Sequence, residues 1–150
     1  MPKASVKRLI ECKKDQLIDL VLDIEKYPEF VPFCLGSHVY EKNIEGDKTL
    51  IIADLTIGKG PFKDTYKSDV QFNNKTNTIK VTNIGGPLRH LENNWKFIES
   101  DNGTEILFDI DFEIENKFLN LVMTKSFQYG LNKIADAFQK RAHELYSNKH

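Results

Sequence analysis

A chain of 150 residues, 40% hydrophobic and 29% charged, is sized for one domain over 1–150 that buries about 70% of its unfolded surface. Twenty-one basic residues against 22 acidic ones leave a net charge of −1, which excludes a global field for nucleic acid or acidic membrane and leaves only local patches. Cys12 and Cys34 have neither metal-ligand spacing nor a disulfide framework, so reduced, partly buried thiols are expected. No apolar run approaches the ~20 residues of a membrane span, and "MPKASVKRLI" is too short and strand-like for a secretory signal. A soluble, untargeted, cytoplasmic chain is the expectation.

Residues 3–10 read as a first strand. "DQLIDLVLDI" then places Leu17, Leu20, Val21 and Ile24 at helical spacing, with Pro28 ending the helix at or just before Tyr27. The prolines of "YPEFVPFC" leave room there for a short helical turn or a loop. Strands follow at 37–44, 48–58, 61–72, 78–84, 88–99 and 105–114, joined by "EGD", "GKGP", "NNKTN", "GGP" and "SDNG". Within them Ile51, Ala53, Leu55 and Ile57 share one face. Phe62, Tyr66, Val70 and Phe72 share another with Asp64 and Ser68, and Ile106, Phe108, Ile110, Phe112 and Ile114 alternate with acidic residues. From about 117 to 147 the period changes: Phe127, Leu131, Ile134, Phe138, Ala142 and Leu145 recur at spacings of four and three.

Short turns make successive strands antiparallel neighbours, and a long amphipathic helix needs an apolar surface to cover. The fold class is therefore α+β: a curved antiparallel sheet of six to seven strands around a long C-terminal helix, a helix-grip arrangement.

"GGPLRHLENNWKF" poses the sharpest local question, because Arg89 and Asn93 fall on the same face as Leu91, Trp95 and Phe97. A buried polar group without a partner costs about 1–3 kcal/mol, so both should be paired or wet. The simpler role for Arg89 is to snorkel to solvent at the strand end. The functional alternative is that the two form the polar end of a tunnel and donate hydrogen bonds to a ligand's oxygens.

Catalysis finds little support. His90 and Glu92 share a face, but it is the outward one, and no Ser-His-Asp order, metal cluster or phosphate loop is present. Two basic groupings exist, Lys3, Lys7 and Arg8 at the start and Lys59, Lys63 and Lys67 around one strand; runs of this size are ordinarily solvated surface. They also suit a weak approach to an anionic membrane, for which "FVPFCL" offers an apolar tip.

Two motifs carry a resemblance. "DIEKYPEFVPFC" at 23–34 is similar to an Asp-x-x-x-Tyr-Pro-x-Phe-x-Pro-aromatic-Cys run, and "GPLRHLENNWKF" at 86–97 to a Gly-Pro-aromatic/Leu-basic-x-Leu-x-x-x-Trp-x-Phe run. Both belong to the coenzyme-Q-binding branch of the START-domain superfamily, also called the polyketide cyclase/dehydrase and lipid-transport group. The chain departs from it at Phe33, where tryptophan is frequent, and at Leu88, where an aromatic is often found.

The resemblance implies a hydrophobic tunnel between sheet and C-terminal helix that holds ubiquinone or a similar polyprenyl lipid unchanged, in support of respiratory electron transfer. Bacterial members have also been described as a toxin that binds ribosomal subunits and blocks their association. That is the alternative, with an aromatase/cyclase-type enzyme third. For any one of Phe30, Phe33, Phe62, Tyr66, Trp95, Phe108, Phe112 and Phe127, plain core packing is the ordinary role. As a set, together with Ile57, Leu131, Arg89 and Asn93, they form the candidate ligand site. No cofactor, metal, catalytic residue or DNA partner is expected, and the location implied is cytoplasmic or peripheral at the inner membrane.

Overall fold

Period-2 sequence between tight turns produces seven strands: β1 (Lys3–Ile10), β2 (Cys34–Glu45), β3 (Lys48–Lys59), β4 (Phe62–Asn73), β5 (Thr78–Gly85), β6 (Leu88–Ser100) and β7 (Gly103–Ile114). In this computed structural model they form one curved antiparallel sheet in the order β1-β7-β6-β5-β4-β3-β2. The structure describes residues 3–59, 62–85, 88–114 and 117–147, with side chains placed over 4–58, 65–84, 91–111 and 128–146. The helices are α1 (Lys14–Leu22), a 3-10 helix (Ile24–Glu29) and α2 (Lys117–Ala142), which runs into a π turn at His143–Ser147.

Two expectations about the helices need correction. The first helix ends at Leu22, not beside Tyr27, because Asp23 leaves helical geometry while its N–H still bonds the carbonyls of Asp19 and Leu20. Pro28 then lies inside the separate 3-10 helix, a short element that tolerates a residue without an N–H. At the other end, Leu145 is exposed. The stripe of α2 runs Leu131, Ala135, Phe138 and Ala142, and the wider π turn beyond Ala142 takes the following residues out of phase.

The core lies where one row of inward side chains crosses six strands in register: Val6, Phe108, Trp95, Ile79, Phe72 and Thr49. Leu17, Ile18, Leu20 and Val21 from α1 and the stripe of α2 close over it. Polar clamps fix α2. Arg8 donates to Asp136 at 2.6 Å and to Gln139 at 3.2 Å, Gln128 donates to the Ser5 carbonyl at 3.0 Å, and Arg141 donates to Glu29 at 2.8 Å. Arg8 is thus part of the grip and not of a basic surface patch. Between β6 and β7, Gly103 has φ 140°, and a Cβ there would stand 2.2 Å from the Ile10 carbonyl oxygen, so only glycine fits.

Candidate ligand-binding site

Burial changes along the concave face. Ile51, Ile79 and Phe97 are fully buried at one end, whereas Leu55 and Ile57 on β3, Tyr66 on β4 and Leu91 on β6 are only half-buried toward the other. Alternation puts these residues on the inward face, and register pairs Leu55 with Tyr66 and Ile57 with Cys34. Ser68 and Asn83 face each other across β4 and β5 and place polar groups at the boundary between the two halves. The concave face therefore has a packed half and an open half, separated by polar side chains.

The packed half holds several of the expected site residues. Trp95 stacks on Phe108 with centroids 4.1 Å apart and meets the edge of Phe138 at 5.2 Å. Its indole N–H donates to Asn93 Oδ1 at 2.8 Å, and Asn93 Nδ2 donates to the Asp109 carbonyl at 2.9 Å. The asparagine on the dry face is thereby satisfied within the protein. The void bordered by Trp95, Phe108, Val6, Ile106, Ala135 and Phe138 measures about 20 Å³, enough for about one water. Leu131 is 2% exposed within the same core. Phe30 packs edge-on against Phe138 at 5.1 Å, with the Arg141 guanidinium 5.1 Å above its ring.

Ile57 and Tyr66 belong to the open half, and Phe33 sits at its end, 38% exposed with φ 68°. The side chains of Phe62, Arg89, Phe112 and Phe127 lie outside the described residues; the backbone places them on β4, β6, β7 and α2, with Phe112 opposite Leu91. A register shift between Leu88 and His90 interrupts the count that put Arg89 on the Trp95 face. Leu55, already placed by alternation on one face with Ile57, and Asn83, which the same alternation along β5 contains, join the inward set although neither was among the candidate site residues.

A larger cleft of about 290 Å³ opens elsewhere, between α1, the 3-10 helix and β2–β3. Leu22, Ile24, Val39 and Ile51 floor it, with Asp19, Asp23, Glu25 and Lys42 at its walls. Burial pushes the Asp19 carboxyl above its ordinary range, the charge of Asp15 adds to this, and Lys42 opposes it. No sequence pattern marks this cleft, since it joins segments that only tertiary packing brings together.

The remaining titratable groups favour structure over chemistry. Burial raises the Cys12 and Cys34 thiols, and each donates to a backbone carbonyl, of Ala142 and Gly36 respectively. Burial likewise keeps the Tyr27 hydroxyl protonated far above its usual range while it donates to the Val21 carbonyl. His38, which the sequence left without a partner, meets the Tyr40 ring edge at 4.6 Å on the outer face. Among the described residues no group of three His, Cys, Asp or Glu side chains is placed to hold a metal ion, and no helix is long and apolar enough to cross a membrane.

A seven-stranded antiparallel sheet closed against one long C-terminal helix, with an inward face only partly filled, is the architecture of the START-like domains. Residues 10–139 match the family model "Polyketide cyclase / dehydrase and lipid transport", and the chain belongs to that family. It is 31% identical over 142 residues to a ribosome association toxin, RatA, of Rickettsia prowazekii, covering 92% of this chain and 94% of that one. It is also 31% identical over 137 residues to the mitochondrial coenzyme Q-binding protein COQ10 of Dictyostelium discoideum, covering 89% of this chain and 65% of that one. Among solved structures, the 18 kDa protein CC1736 of Caulobacter crescentus superposes with a TM-score of 0.81 at 25% identity, covering 97% of this chain and 98% of that one.

Proposed function

We propose that the protein binds an apolar ligand, ubiquinone or a related polyprenyl quinone, in the open half of the concave face and leaves it chemically unchanged. The observation that carries this is the burial step along β3 and β4, where inward Leu55, Ile57 and Tyr66 stay half-buried beyond a filled core. A concave apolar surface with a few polar groups at one end suits a ligand with an oxygen-bearing ring and a hydrocarbon tail. Phe62, Phe112, Phe127 and Arg89 are proposed as the rest of the wall and its polar end. Trp95, Asn93, Phe108 and Leu131 form the closed floor, with Phe30 and Phe33 toward the mouth. The likeness to a coenzyme Q-binding protein supports the quinone, and carriage of an unmodified quinone would serve respiratory electron transfer.

A second function, binding to ribosomal subunits, is favoured by the name and the near-complete coverage of the Rickettsia relative. An aromatase/cyclase-type reaction is the weakest of the three, since it needs an acid and a base facing one cavity, and the described inward polar groups include no such pair. Native mass spectrometry of protein purified from its own source, followed by solvent extraction, separates these functions. A co-purifying quinone supports the first. Ligand-free protein that sediments with isolated ribosomal subunits puts the second in its place.

A further inference from the structure

Alternation along β2 is reset near its start. A register shift between Cys34 and Gly36 leaves Leu35 out of the pairing. Cys34, opposite Ile57, and Ser37, opposite Leu55, therefore both point to the concave face although they are three residues apart. Ser37 is half-buried, and its hydroxyl oxygen is enclosed with no hydrogen-bond partner in the protein. The neighbouring thiol bonds elsewhere, Cys34 donating to the Gly36 carbonyl at 3.5 Å. A buried hydroxyl without a partner is costly and uncommon, and on a binding surface the missing partner arrives with the ligand.

Two rows of inward residues meet at this point. Ser37, Leu55 and Tyr66 lie side by side on β2, β3 and β4, and Ala53 and Ser68 belong to the next row, farther from Ile57. Ser37 and Ser68 thus stand diagonally across β3, two strand spacings or about 10 Å apart in the pairing direction. A six-membered ring with an oxygen at each end, extended by a hydrogen bond of about 2.8 Å on either side, covers a span of that order. Leu55 and Ala53 supply an apolar bed for its face.

We propose that Ser37 is a recognition residue for the ligand's oxygenated ring. The ring lies across β3 with one oxygen on the Ser37 hydroxyl and the other toward Ser68, and the tail leads out past Ile57. The inference rests on the quinone-binding function above and adds to it a specificity-determining side chain and an orientation, ring inward and tail toward the mouth. The hydroxyl donates to a ring carbonyl, so a ring without oxygens gains nothing from it.

The test is titration of wild type, Ser37→Ala, Ser37→Thr and Ser68→Ala with decylubiquinone and with decylbenzene, which has the same tail on a ring without oxygens. Urea unfolding of each free protein accompanies it. Ser37→Ala should weaken decylubiquinone binding about five- to tenfold and leave decylbenzene binding unchanged. The urea midpoint of the free variant should not fall, because the hydroxyl holds no bond there. Ser37→Thr keeps the hydroxyl and suits a strand, so it should retain the wild-type preference. Ser68→Ala should show the same selective loss. Decylubiquinone affinity that is unchanged in either alanine variant, or an equal loss for both probes, overturns the proposal, as does a lowered midpoint for Ser37→Ala. Wild-type protein that binds the two probes alike upholds apolar binding and overturns the recognition role. Wild-type protein that binds neither overturns the quinone function and the recognition role with it.

Discussion

Asn93 stands between two partners on adjacent strands: its side-chain oxygen accepts the buried Trp95 indole N–H and its nitrogen donates to the Asp109 backbone carbonyl. The pair explains why an asparagine occupies a dry face, because each polar group there supplies what the other lacks. Asn93→Ala removes both bonds and strands the indole N–H beside Phe108. Loss of about 1–3 kcal/mol is expected, read as a lower urea midpoint with unchanged slope. An unchanged midpoint would show that water replaces the amide.

Leu131→Ala tests how far the packed half extends along α2. With Leu131 2% exposed in the core, the truncation should cost about 2–5 kcal/mol, and quinone affinity per folded molecule should not change. A smaller cost together with altered affinity or tail-length preference would extend the ligand cavity down to this turn of the helix.

Asp19 gives a pH signature. Its carboxyl is raised by burial first and by Asp15 second, so the folded state holds its proton more tightly than the unfolded chain does. Between the ordinary carboxylate value and the raised one, the folded state binds more protons, so this group's contribution to stability grows as pH falls through that window. At neutral pH the charged form is a penalty. Asp19→Asn should therefore raise the thermal midpoint at pH near neutral, and the gain should vanish in acid below the ordinary carboxylate range. A lower midpoint at neutral pH would mean that attraction to Lys42 outweighs the burial.

Much of the fold was legible because five short turns and strict alternation leave few ways to pair the strands, and one long amphipathic segment has a single surface to cover. The misjudged places are those where a local rule met another constraint. A proline predicted the end of a helix that Asp23 had already ended. A π turn took Leu145 out of a stripe that periodicity had carried on to it. For the site, alternation identified which residues point inward but not which of them are packed. Trp95 and Ile57 look alike in sequence, yet one is enclosed by Phe108 and Phe138 and the other is half-open. That difference depends on α2 and the opposite strands, which no local pattern reports.

Backbone and methyl NMR during titration with decylubiquinone distinguishes the two concave surfaces directly. Binding in the open half should shift Leu55, Ile57, Tyr66 and Leu91 saturably, with smaller changes at Trp95 behind the Ser68–Asn83 boundary. Shifts confined to Leu22, Ile24, Val39 and Lys42 would place the ligand in the cleft beside α1, and no saturable shift anywhere would contradict ligand binding itself.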